Sequence, residues 1–110
     1  MPSGYIGEFE QMVLLAILQL GDEAYGVAVM EELQRRVGRE VSRGAMYATL
    51  DRLESKGLLD SRVGDPTPQR GGRGKRYVSV TPDGIEALRR SRTALEELWR
   101  GLDPIVGETE

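Results

Sequence analysis

The apolar positions of this 110-residue chain recur at two periods. Between Glu8 and Leu20, Phe9, Met12, Val13, Ala16, Ile17 and Leu20 fall at helical spacing, which predicts a first helix. Leu14, Leu15 and Leu18 flank that stripe, so the helix is apolar around most of its circumference and needs cover on more than one side. A second helix is predicted from about Tyr25 to Val37, with Val29, Met30, Leu33 and Val37 inward. Gly21 ends the first helix, and Asp22 is a candidate cap for the second. A third helix is predicted over about 43–56, with Ser42 as N-cap and Gly57 as the stop. Met46, Leu50 and Leu53 form its apolar face, and the opposite face carries Ala45, Ala48, Thr49, Arg52 and Ser55.

The period then switches to two. Leu59, Ser61 and Val63 alternate with Asp60 and Arg62, and Val78 and Val80 alternate with Tyr77 and Ser79, which predicts a half-buried hairpin over 59–63 and 75–81. The connection between these strands is rich in Gly and Pro and carries Arg70 and Arg73, followed by Lys75 and Arg76. Thr81-Pro82-Asp83 then starts a last helix, with a Thr N-cap, Pro in the first turn and an acid beside it. Its apolar side, Ile85, Leu88, Leu95, Leu98, Trp99 and Leu102, is interrupted by Arg89–Thr93. The first half is expected to pack on its own chain and the Leu95–Leu102 half to form an interface.

These elements predict a mainly α chain with a small β-hairpin: a winged helix-turn-helix over 8–81, followed by a C-terminal dimerisation helix over 82–102. Residues 1–7 read as a flexible arm and 103–110 as a frayed tail. A helix with small residues near its start and cations towards its end suits a major groove, and a basic wing beside it suits phosphate.

Composition narrows the chemistry. There is no His and no Cys, so Ser-His-Asp and Cys-His sets, disulfides and the usual zinc sites are ruled out, and no enzyme or cofactor is expected. The Glu31-Glu32 and Glu96-Glu97 pairs read as solvated helix faces. The first ten residues have no basic leader pattern, and Met12–Leu18 is far too short to span a bilayer, so a cytoplasmic location is expected. The net charge of −3 hides an asymmetry. Ser42–Arg76 holds eight cations against four anions, a net +4, which leaves −7 on the remainder. A basic head on an acidic body suits a specific binder with limited non-specific affinity.

The segments YATLDRLESKGLLDSRV (47–63) and GGRGKRYVSVTPDG (71–84), with Ala24-Tyr25-Gly26 before them, resemble the PadR family of transcriptional regulators. That family's pattern reads Y-x-x-L-x-R-L-E-x-x-G-L and then G-R-x-R-R-Y-Y-x-L-T-x-x-G. The departures are Lys75 for an Arg, Val78 for the second Tyr and Val80 for Leu. The resemblance spans roughly residues 8–100. It implies a homodimer joined through its terminal helices, acting on double-stranded DNA, usually as a repressor at an inverted repeat. On this reading Ser42, Arg43, Ala45, Met46 and Thr49 read bases. Tyr25, Arg52, Lys56, Arg70, Arg73, Lys75 and Arg76 hold phosphate or, for the wing arginines, a minor groove. Tyr47 lies at the margin of the apolar face, placed for packing or for DNA. Tyr25 has an equally available role as a core-edge residue. Leu14, Leu15, Leu18, Leu95, Leu98, Trp99 and Leu102 are the interface candidates. Trp99 is also the candidate contact for a small aromatic effector, beside its plainer role as an interface anchor. A winged helix that docks an acidic protein instead of DNA is the alternative on the same fold.

Overall fold

The structure is a computed structural model and describes residues 5–64, 75–102 and 105. Among the described residues, four helices, α1 (Glu8–Leu20), α2 (Gly26–Val37), α3 (Arg43–Ser55) and α4 (Pro82–Trp99), surround a hairpin of β1 (Leu59–Val63) and β2 (Arg76–Val80). One 3-10 turn, Gly21–Glu23, follows α1. Bounds agree with the periodicity to within three residues, the largest difference being at the end of α4. The cap of α2 differs from expectation: Tyr25, not Asp22, is the N-cap, and no side chain bonds there.

One apolar cluster holds these elements together. Val13, Leu14 and Ile17 of α1, Val29 and Leu33 of α2, and Met46, Leu50 and Leu53 of α3 are buried with Leu59 and Val78 of the hairpin. Leu14 is fully buried in this cluster, so it is a core residue and not the interface residue that its position beside the stripe suggested. The strands pair antiparallel, from Leu59 opposite Val80 to Val63 opposite Arg76. Only Leu59 of β1 is buried, and Val63 is 75% exposed, because the hairpin rises off the core as it leaves α3. The far edge of β2 is also used: the Val78 N–H donates to the Ala24 carbonyl at 2.9 Å, and Tyr25 bridges Tyr77. The entry to α2 is therefore stitched to the wing.

The end of α3, the start of β1 and the start of α4 meet in one joint. Gly57 has φ +78°, its N–H donates to the Glu54 carbonyl, and the Leu58 N–H donates to the Leu53 carbonyl. This is a left-handed helix stop that glycine adopts without strain, and it turns the chain into β1. Thr81 caps α4 by accepting from the Gly84 N–H at 3.0 Å, and its hydroxyl donates to the Gly57 carbonyl at 2.7 Å. Gly84 lies under this joint. A Cβ there would overlap the Leu58 carbonyl oxygen and come within 2.6 Å of Val80 Cγ1.

The joint makes Gly84 sensitive to a single added methyl. Gly84→Ala should cost about 1–3 kcal/mol, since backbone must move to admit the Cβ. A chemical denaturation midpoint checks this; an unchanged midpoint would mean that the joint is looser than the geometry indicates.

Candidate nucleic-acid interface

The core contact of α3 fixes which side chains it can offer. With Met46, Thr49, Leu50 and Leu53 buried, the helical repeat centres the open face on Gly44, Ala48, Asp51 and Ser55, with Ser42, Arg43 and Ala45 at its start. Two expected base readers are thereby corrected. Met46 has no exposed surface. Thr49 is buried, and its Oγ1 accepts from Arg52 at 3.3 Å. Ser42 caps the helix, accepting from the Ala45 N–H at 3.1 Å, as its position predicts. Arg43 is exposed and makes no ion pair among the described residues. Gly44 is a residue that the sequence pattern does not single out. A Cβ on it would meet nothing within 4 Å, so the chain's own packing does not call for glycine there.

One flank of α3 is tied to α1. Glu10 is buried, and its Oε2 accepts from Arg52 Nε at 3.0 Å and from Lys56 Nζ at 2.9 Å, while Oε1 accepts from the Gly7 N–H at 3.3 Å. Burial pushes the Glu10 carboxyl up, but donation by Lys56 and Arg52 together with the Gly7 N–H overcomes it, and the pKa lies below the ordinary glutamate value. The other flank is tied to the wing. Arg76 donates to Asp51 at 2.9 Å and to Glu54 at 2.7 Å, and Ser61 donates to Glu54 at 3.0 Å. Arg52, Lys56 and Arg76 thus each face carboxylates of this chain, pairings that the sequence pattern does not indicate.

Beside the wing root stands an aromatic and cationic corner. The Tyr25 and Tyr77 rings meet edge to face at 5.7 Å, Lys75 Nζ lies 4.1 Å over Tyr25, and the Arg62 guanidinium lies 4.7 Å over Tyr77. Tyr47 is half-buried, with its phenol against Gly26, where a Cβ would come within 2.5 Å of the hydroxyl. Tyr25, Tyr47 and Lys75 are so gathered near the first turn of α2, whose free N–H groups favour an anion. Arg70 and Arg73 lie outside the described residues.

A second surface lies away from α3. Leu15 and Leu18 of α1, with Ile85, Leu88, Leu95 and Trp99 of α4, line an open groove of about 650 Å³. Leu98 is 73% and Trp99 52% exposed, and Leu15, Leu18, Leu95 and Leu102 are exposed too. The first half of α4 packs inward through Gly84, Ala87 and Ser91. Among the described residues no helix is long and apolar enough to cross a membrane.

The depressed Glu10 pKa fixes the sign of an acid effect. The contribution of Glu10 is present above the unfolded glutamate pKa and is lost as pH falls through the lower folded value. Glu10→Gln should therefore be less stable than the parent at neutral pH, and the gap should narrow on acidification. Parallel denaturation series at several pH values check this; a gap that stays constant would mean that the ionised carboxylate contributes nothing.

Known proteins share both the sequence pattern and the architecture. The family model described as the transcriptional regulator PadR-like family matches residues 14–90. A Mycobacterium tuberculosis protein named transcriptional regulator Rv3488 is 44% identical over 81 residues, covering 72% of this chain and 69% of that protein. A PadR family transcriptional regulator from Eggerthella lenta superposes with a TM-score of 0.67 at 28% identity, over 93% of this chain and 88% of the other. A winged-helix DNA-binding protein from STIV shares the fold at 16% identity, with a TM-score of 0.67 over 88% and 97% of the two chains. With the family model spanning α1 to α4 and the winged helix-turn-helix in place, the chain belongs to the PadR-like family of transcriptional regulators, which are not enzymes.

Proposed function

We propose that the protein is a dimeric, sequence-specific DNA-binding repressor that acts on an inverted-repeat operator. The observation that carries this is the open face of α3, small at Gly44, Ala45 and Ala48 and led by Arg43, which has no ion pair among the described residues. Small residues let the backbone approach base edges, and an Arg in the first turn has the reach for a guanine. Ser42, Arg43 and Ala45 are the base-reading set. Tyr25, Tyr47 and Lys75 at the start of α2 hold phosphate, and Arg70 and Arg73 belong to the wing. The exposed apolar ends of α1 and α4 support a second copy as their cover, with Leu15, Leu18, Leu95, Leu98, Trp99 and Leu102 at the interface. Two reading helices then enter successive major grooves about one helical turn apart. The groove containing Trp99 is apolar enough to take a small aromatic effector, whose entry would release the operator.

Binding of the purified protein to the DNA upstream of its own coding region, against an unrelated duplex, tests this reading. Tight binding to the first and weak binding to the second supports it. No binding to either at low salt would sink it in favour of a protein-docking wing. Arg43→Ala should cost about 1–3 kcal/mol on the operator and little on the unrelated duplex. Gly44→Ala should raise stability by about 0.5–1 kcal/mol, because alanine is the better helix former, while weakening operator binding. Opposite signs in thermal melting and in affinity would mark Gly44 as a residue kept for close approach; a melting gain with intact affinity would remove it from the interface. Leu98→Glu should shift the sedimentation of the protein from dimer to monomer.

A further inference from the structure

Among the described residues, Glu10 is the buried carboxylate that reaches across from α1 to Arg52 of α3 and to Lys56 at its C-cap. Arg52 spends its Nε on Glu10 and another nitrogen on Thr49, and Lys56 donates to both Glu10 oxygens, at 2.9 and 3.1 Å. The Glu10 side chain is only 11% exposed, whereas those of Arg52 and Lys56 are about half exposed. Removing both cations would therefore leave a desolvated anion with a single backbone donor, which the fold resists. Arg52 and Lys56 also sit on the flank of α3 next to α1, off the line through Gly44, Ala48 and Asp51 that centres the open face. The three groups together carry one positive charge rather than two.

We propose that Glu10 is a specificity-determining residue that screens Arg52 and Lys56 from the phosphate backbone. This rests on the DNA-binding reading and adds a prediction to it. Sequence-independent affinity grows with the number of phosphates neutralised, and each one steepens the salt dependence by about 0.9 units. Holding two cations on the protein suppresses that term and leaves the contacts that read sequence. Competing genomic sites far outnumber an operator, so lowering non-specific affinity raises the effective specificity. Asp51 and Glu54 treat Arg76 in the same way on the wing side.

The test is the dependence of affinity on salt, read by anisotropy of a labelled unrelated duplex, with the full chain and its variants. With Glu10 in place, Lys56→Gln should leave the slope of log affinity against log salt unchanged. Glu10→Gln should steepen that slope by about one to two units and tighten binding at low salt by about tenfold or more. Adding Lys56→Gln to Glu10→Gln should then flatten the slope by about one unit. A purely structural role for Glu10 would move affinity and melting without changing the slope, and that result overturns the proposal. So does a flattening of about one unit by Lys56→Gln alone, which would put Lys56 on phosphate. Should Glu10→Gln fail to fold by circular dichroism, Lys56→Gln in the parent background decides the matter. Failure of the parent to bind any duplex at low salt would instead overturn the DNA-binding reading itself.

Discussion

Helix α3 must bury one face and keep the opposite one open, and the other elements are placed by that requirement. Met46, Leu50 and Leu53 have no exposed surface and share a core with Val13, Leu14 and Ile17. Each such side chain contributes about 1.5–3 kcal/mol on burial, so the helix cannot rotate about its axis without losing several of these terms at once. That rigidity decides the function of every other position on α3. A residue about a quarter turn from the core line is flank, as Arg52 is, and one half a turn away is open, as Ala48 is.

The wing is held by polar contacts where the core ends. Beyond Leu59 and Val78 the hairpin has little apolar surface to bury, and Val63 stands in solvent. Its angle relative to α3 is set by Arg76 on Asp51 and Glu54, and relative to α2 by the Val78–Ala24 bond and the Tyr25–Tyr77 edge contact. Exposed ion pairs contribute little stability singly, but a fork from one guanidinium to two carboxylates on one helix fixes direction. Arg76 is thereby a strut between the wing and α3.

The elements and the family were legible because each rests on local signals. Ser42, Gly57 and Thr81 mark helix ends by chemistry within four residues, and the switch from helical to alternating spacing at Leu59 marks the hairpin. The site was less legible. Thr49 is turned into the core rather than to the open face, and the sequence carries no sign of this, because Thr is compatible with either face and only packing decides. Met46 belongs to the apolar face and is fully buried, so the same side chain cannot also read a base. Leu14 looked peripheral to the α1 stripe, yet the helix turns it inward. The Glu10 contact had no signal at all. Its partners lie 42 and 46 residues away, and an acidic residue in the first turn of a helix has a sufficient local explanation in capping.

The charge distribution takes on a different meaning once partners are known. From the sequence, +4 between Ser42 and Arg76 looked like a field that attracts phosphate. In the fold, Arg52, Lys56 and Arg76 each face a carboxylate within about a hydrogen-bond length, and Lys75 and Arg62 lie over aromatic rings. A charge paired at that range leaves only a short dipole, whereas an unpaired one keeps its field out to a Debye length of about 8–10 Å. Arg43 is therefore the cation of α3 with the longest reach, and it stands in the first turn, where the helix would meet a base pair. An acidic protein can act on DNA on these terms, because steering and reading need a few cations left free in the right place rather than a large net positive charge.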